Sequence, residues 1–155
     1  PALITNIEES NTYPSISVMV KLSRALGQRL GTFTDDQFME DPLIVRQDDR
    51  KEEALPHRGT GPDGYHYYLL GKGKTDRHME PFFIQIEPSD SEDLSSHEGE
   101  EFIIVVSGEV VLSYGKNTYR LKAGDSMYYN SVVPHRVGAE GGAPASIYAV
   151  VYMPA

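Results

Sequence analysis

The chain has 155 residues, 39% of them hydrophobic and 24% charged, the composition of a water-soluble globular chain with room for one ordinary domain and a small appendage. It contains no cysteine, which removes disulfides, thiolate metal sites, thiol nucleophiles and iron–sulfur clusters, so any metal must be held by His, Asp or Glu. The longest apolar run, Phe102 to Val106, falls far short of the roughly 20 residues that span a bilayer, and no cationic leader precedes an apolar stretch; the expectation is a cytoplasmic protein with no membrane partner.

Fourteen Lys and Arg against 23 Asp and Glu give a net charge of −9, which opposes diffuse binding to a polyanion. The charge is unevenly spread. Residues 1–33 carry Lys21, Arg24 and Arg29 against Glu8 and Glu9, a net of +1, and the remainder holds −10. The same stretch has its own period. Leu3, Ile4 and Ile7 recur at three- and four-residue spacing, as do Ile16, Met19, Val20, Ser23, Leu26 and Leu30, so both runs read as amphipathic helices. Ser10-Asn11-Thr12-Tyr13-Pro14 breaks them apart, with Ser15 at an N-cap position and Gly27 where a left-handed C-terminal residue belongs.

Residues 34–60 form an acidic connector, rich in Asp35, Asp36, Glu40, Asp48, Asp49, Glu52 and Glu53, partly recruited into a first strand near 43–47. From there on the period drops to two. Strands are expected near 65–71, 80–87, 101–106, 109–114, 117–121, 126–129 and 146–153. Turn residues such as Pro62-Asp63-Gly64, Ser107-Gly108, Gly115-Lys116-Asn117 and Ala123-Gly124-Asp125 separate them. Eight short strands in so few residues suit a β-sandwich or a small barrel.

Two stretches of the strand region resemble the cupin motifs. Residues 95–108, Ser-Ser-His-Glu-Gly-Glu-Glu-Phe-Ile-Ile-Val-Val-Ser-Gly, place His97, Glu101 and Gly108 in register with the first motif, although Ser95 stands where that motif has its first histidine. Residues 124–135, from Gly-Asp-Ser-Met-Tyr-Tyr to Val-Pro-His, place Gly124 and His135 in the second, and Ala139 stands where that motif often ends in Asn. The helical part is similar to the last portion of a helix-turn-helix of the Cro and phage-repressor type, called Xre. Leu3-Ile4-Thr5-Asn6-Ile7-Glu8-Glu9, Pro14-Ser15-Ile16 and Lys21-Leu22-Ser23-Arg24-Ala25-Leu26-Gly27 carry that likeness. Together they resemble bacterial regulators in which a DNA-binding domain is fused to a cupin sensor.

The resemblance implies a mainly β chain. Its barrel would be a double-stranded β-helix, the cupin jelly roll, over residues 61–155, behind a small N-terminal helical segment, 1–33, that is the C-terminal part of a DNA-binding domain. On that alignment residues 1–9 lie within the recognition helix and the helices ahead of it are missing. The 155-residue chain is then expected to bind duplex DNA weakly or not at all, and the complete parent to bind a specific site. Thr5 and Asn6 become candidates for base contact, Lys21 and Arg24 for phosphate contact.

In an extended strand, residues an even number apart share a face, so His97 and Glu101 project to one side and could meet His135 from a neighbouring strand. Two imidazoles and a carboxylate form a facial set with open positions for one divalent ion, Zn, Ni, Mn or Fe; Ser95 in place of a fourth ligand weakens the set without forbidding it. Tyr65, Tyr67, Tyr68, Phe82, Phe83, Tyr128 and Tyr129 flank these positions, and Tyr128 joins His97, Glu101 and His135 as a candidate ligand-binding residue. His57, His66 and His78 read as structural, with His66 the one expected to face the barrel.

Three functions remain open: a regulator whose barrel senses a small-molecule effector, a metal-dependent enzyme of dioxygenase, isomerase or epimerase type, or a barrel that only dimerises. The first is favoured, because the attached helices resemble a DNA reader and the metal set has lost a member. No catalytic residue is assigned. A homodimer is expected, since such regulators read symmetric sites.

Overall fold

Alternation of inward apolar and outward side chains governs the chain from Tyr65 onward, and the computed structural model, which describes residues 40–53 and 64–154, shows what the alternation builds. The regular structure of the described part is almost wholly antiparallel strand: β1 Glu52–Glu53, β2 Tyr65–Leu69, β3 Met79–Ile86, β4 Glu100–Ser107, β5 Glu109–Tyr114, β6 Asn117–Lys122, β7 Ser126–Asn130, β8 His135–Ala139 and β9 Ala145–Tyr152. A six-stranded sheet has the order β1-β2-β3-β9-β4-β7, and a three-stranded sheet the order β6-β5-β8. β9, last in sequence, inserts between β3 and β4, a jelly-roll crossing that ties the end of the chain into the middle of the larger sheet.

One core fills the space between the sheets. Phe82, Ile84 and Ile86 of β3, Ile103 and Val105 of β4, and Ile147, Ala149 and Val151 of β9 meet Val110 and Leu112 of β5. These are every second residue of their strands, so a shift of one position in any of these registers would send its core residues to solvent. Fully burying each of these side chains but Ala149 is worth about 1.5–3 kcal/mol, and together they fix the register that aims the polar residues described below. A separate ion pair seals the turn between β2 and β3. Arg77 lies against Glu80 with Nε–Oε2 at 2.8 Å and Nη2–Oε1 at 3.1 Å, both side chains about 5% exposed.

The expected strands from Tyr65 onward are found within two residues of their expected ends, but the strand expected at 43–47 is not. Leu43 to Arg46 are extended without a ladder partner and run into a 3-10 turn at Gln47–Asp49; the connector first joins a sheet at β1. The alternation there is real, since Leu43 and Val45 are half-buried and Ile44 is 62% exposed. It serves to lay the connector along the outside of the barrel, where the Glu40 amide donates to the Gly73 carbonyl (2.8 Å) and the Arg50 guanidinium sits over the Phe83 and Tyr148 rings at 4.7 and 5.3 Å. The helices expected within 1–33 lie outside the described residues.

Candidate functional site

The expected trio converges. Among the described residues, His97, Glu101 and His135 form the one group of three His, Asp or Glu whose candidate ligand atoms all lie within 4.8 Å of one another. Glu101 comes from β4 and His135 from the first position of β8. His97 does not share a strand with Glu101, as the pleat argument expected. It stands in the loop before β4, and the chain turns at Gly99 between the two. The loop is held in place by backbone bonds instead: His97 N–H donates to the Ser131 carbonyl (2.9 Å), Ser131 N–H to the Gly99 carbonyl (2.9 Å), and Ser95 and His135 exchange a pair at 2.8 and 2.9 Å.

The histidines are oriented as a metal would need them. His135 Nδ1 lies 2.8 Å from the Val133 carbonyl and His97 Nδ1 3.0 Å from the Glu98 carbonyl; since a carbonyl only accepts, Nδ1 carries the proton in each neutral ring. Both Nε2 atoms then present lone pairs to the same space, 3.0 Å (His135) and 3.6 Å (His97) from Glu101 Oε2. The Ser131 hydroxyl donates to that carboxylate oxygen at 2.9 Å, fixing its rotamer. The donor set therefore fits one divalent cation bound by two imidazoles and a carboxylate, with further positions open.

Without an ion, a second proton on His135 Nε2 takes its place, donated to Glu101 and binding the trio electrostatically. Burial alone pushes the Glu101 carboxyl up, but the hydrogen bond and charge of His135, the charge of His97 and the Ser131 hydroxyl outweigh it, and the group is held below the usual carboxylate value. For His135, burial pushes the imidazole down, and Glu101 together with the Val133 carbonyl more than reverses this, so it sits above the ordinary histidine value. Tyr129 is raised, first by burial and then by the charge of Glu101 and a hydrogen bond to it, so its hydroxyl keeps its proton and remains a donor.

These residues line a cavity of about 100 Å³ inside the barrel. Its apolar wall is Phe82, Ile84, Ile103, Ile147, Ala149 and Val151; its polar wall adds Tyr65, Tyr67, Tyr129, Asp93, Ser95 and Arg136 to the trio. The Tyr65 hydroxyl donates to the Val137 carbonyl. Tyr129 Oη and Arg136 Nε are buried on this wall without a hydrogen-bond partner of normal geometry among the described residues.

Tyr128, expected as a ligand-binding residue, is turned away. β7 alternates with Met127 and Tyr129 inside, leaving Tyr128 66% exposed on the outer face with its hydroxyl on Glu100 Oε1 (3.0 Å). The reason is register: Tyr129 pairs with inward Glu101 and Tyr128 with outward Phe102. Parity likewise turns His66 outward, with Tyr65 and Tyr67 inside; its ring meets Glu52 (2.5 Å) and Glu87 (3.7 Å) rather than the barrel interior. His78 is exposed, and His57, Thr5, Asn6, Lys21 and Arg24 lie outside the described residues. Sequence reasoning missed Arg136 and Asp93, which flank the motif residues.

Nine strands among the described residues, in two sheets closed around two histidines and a glutamate, define the class: the chain carries a cupin domain, whose profile matches residues 82–151. The chain is 30% identical over 135 residues to the HTH-type transcriptional regulator PuuR of Escherichia coli K12, an alignment covering 85% of this chain and 69% of that one. It belongs to the family of helix-turn-helix transcriptional regulators that carry a cupin domain. A crystal structure of an HTH_3 family transcriptional regulator from Vibrio cholerae superposes with a TM-score of 0.69 over 99% of this chain and 80% of its own, at 19% identity. The (S)-2-hydroxypropylphosphonic acid epoxidase of Streptomyces wedmorensis is 25% identical over 146 residues, 88% of this chain and 73% of the enzyme.

Proposed function

We propose that the chain is the sensing part of a DNA-binding regulator, in which the barrel cavity takes a small effector beside a divalent ion and the response is read out at DNA through residues 1–33, with Thr5, Asn6, Lys21 and Arg24 as contacts, in a homodimer. One observation carries the regulator reading. The alignment to PuuR covers 85% of this chain, almost twice the stretch 82–151 that the cupin profile occupies, so it runs beyond the barrel and takes in at least the last part of residues 1–33. The domain division at 33 and 60 belongs to the same proposal.

The ion would be held by His97 Nε2, His135 Nε2 and a Glu101 oxygen, and when bound it supplies a Lewis-acidic anchor for an oxygen of the effector. Around it, Arg136 Nε offers a donor that no described residue uses, and Tyr129 Oη one that meets only Glu101, favouring an effector with acceptor oxygens. A cavity of 150 Å³ admits benzene, so about 100 Å³ restricts the effector to a handful of non-hydrogen atoms.

The trio also supports a second reading, a metal-dependent enzyme, since the epoxidase aligns over most of the chain. Isothermal titration and metal analysis with Zn(II), Ni(II), Mn(II) and Fe(II) test the site. His97→Ala is expected to lose at least tenfold in affinity, in the range that perturbing a ligand set produces, and Ser95→His to gain by adding a fourth imidazole. A regulator shows no turnover in either variant. Unchanged metal content in both would show that these side chains are not ligands and leave a metal-free effector pocket.

A further inference from the structure

An antiparallel sheet that covers a core on one face ordinarily turns polar residues to water on the other. The larger sheet does not. On β4, Phe102, Ile104 and Val106 point outward and are 37%, 39% and 41% exposed; beside them Tyr128 of β7 and Tyr148 and Tyr152 of β9 are 66%, 36% and 40% exposed. Register makes these six one strip: Phe102 faces Tyr128, Ile104 faces Tyr148, and Tyr152 lies opposite Glu100. The Phe102 and Tyr128 rings are 6.1 Å apart. Glu100 is the one charged side chain facing outward on these three strands, in a chain of net charge −9. Among the described residues of the connector, Arg50 covers the Phe83 and Tyr148 side of the face.

We propose that this strip is the dimer interface, its occupant the same strip of a second copy related by a two-fold axis. Area decides for a second copy. With an aromatic side chain presenting about 150–250 Å² when fully exposed, the six residues leave roughly 500 Å² of apolar surface per copy, so two strips laid together bury about 1,000 Å², the lower limit for a specific protein interface. A patch of that size is at the upper end of what a monomer leaves exposed. The near absence of charge favours a self-complementary contact over a charged partner, because two copies of an acidic chain repel everywhere except where acids are missing. Nothing in this argument depends on an effector or an ion.

The test is sedimentation equilibrium of the 155-residue chain at concentrations up to about 200 μM, because a contact at the low end of interface sizes can be weak. The expected mass is twice the 17.2 kDa of one chain. Ile104→Lys and Tyr128→Lys, both at exposed positions, are each expected to raise the dissociation constant by at least about tenfold, because a lysine must be desolvated at the centre of the contact. Tyr119→Lys, on β6 of the other sheet and 49% exposed, should leave the dimer intact, and circular dichroism confirms that each variant is folded. A monomeric wild-type chain overturns the proposal, including the case in which residues 1–33 of the same chain cover the strip. So does a folded Ile104→Lys and a folded Tyr128→Lys that both remain dimeric, which would place the contact elsewhere. Metal content measured on the same samples keeps failure of the dimer separate from failure of the pocket.

Discussion

Replacing Gly99 by alanine tests whether the loop geometry behind the trio is as constrained as it looks. Gly99 has φ +107, and a Cβ added there would lie 2.1 Å from the Tyr152 carbonyl oxygen and 3.4 Å from Met153 Sδ. Two penalties follow. The left-handed backbone costs an L-residue about 1–2 kcal/mol. Relieving the collision requires the end of β9 to retreat by about 1 Å, loosening ladder bonds worth about 1 kcal/mol each. The sum is about 3 kcal/mol, a fall in melting temperature of about 12–24 °C for a domain of this size. Gly124→Ala is the matched control: φ is +92 but nothing lies within 4 Å of the added Cβ, so only the backbone penalty remains, about 1–2 kcal/mol. Thermal unfolding of both variants by circular dichroism isolates the collision as their difference. Equal losses would refute the reasoning. Gly99→Ala should also weaken metal binding, since the Gly99 carbonyl accepts from Ser131, which in turn holds Glu101.

Tyr129→Phe is expected to weaken effector binding by about 1 kcal/mol or more, the value of one buried donor, while Tyr128→Phe leaves it unchanged; calorimetry with the identified effector separates them, and equal effects would contradict the assigned parity. In metal-free protein the trio sets a pH window. The lowered Glu101 carboxyl contributes stability above its ordinary value of 4.5, lost as pH falls through the folded value. The raised His135 imidazole contributes stability below its ordinary 6.5, lost as pH rises through the folded value. Melting temperature should therefore be highest between those limits and fall on the alkaline side, with His135→Gln flattening that limb; a wild-type profile flat from pH 6 to 9 would contradict the coupling.

The motif spacing around His97, Glu101 and Gly108, and the histidine at 135, made the trio legible before any coordinates, because cupin chemistry fixes those intervals. Period-two stretches such as Ile84-Gln85-Ile86 and Leu112-Ser113-Tyr114 made the strands legible for the same kind of reason: each carries its own signal. What the sequence could not supply was parity where neighbours are chemically alike. Tyr128 and Tyr129 are adjacent tyrosines, and only pairing with Glu101 and Phe102, more than 25 residues earlier, decides which enters the barrel. Tyr65, His66 and Tyr67 pose the same problem against β3. β8 was missed because His-Arg-Val-Gly-Ala has too little alternation to announce a strand and is recruited by β5. Leu43 and Val45 gave a local signal with no partner strand to act on.

On β4 and β7, neighbouring residues look in opposite directions: Glu101, Ile103 and Tyr129 into the cavity, Phe102, Ile104 and Tyr128 out to the open face. A single substitution on either strand therefore lands in one of two separate worlds, chosen by odd or even position. Descendants of such a chain could trade one effector for another through odd positions and keep their manner of association, or rebuild that association through even positions and keep the effector. An insertion or deletion of one residue in either strand would exchange the two faces at a stroke. Lineages that diversify this barrel should accordingly accumulate point changes within β4 and β7 and confine their length changes to the turns between strands.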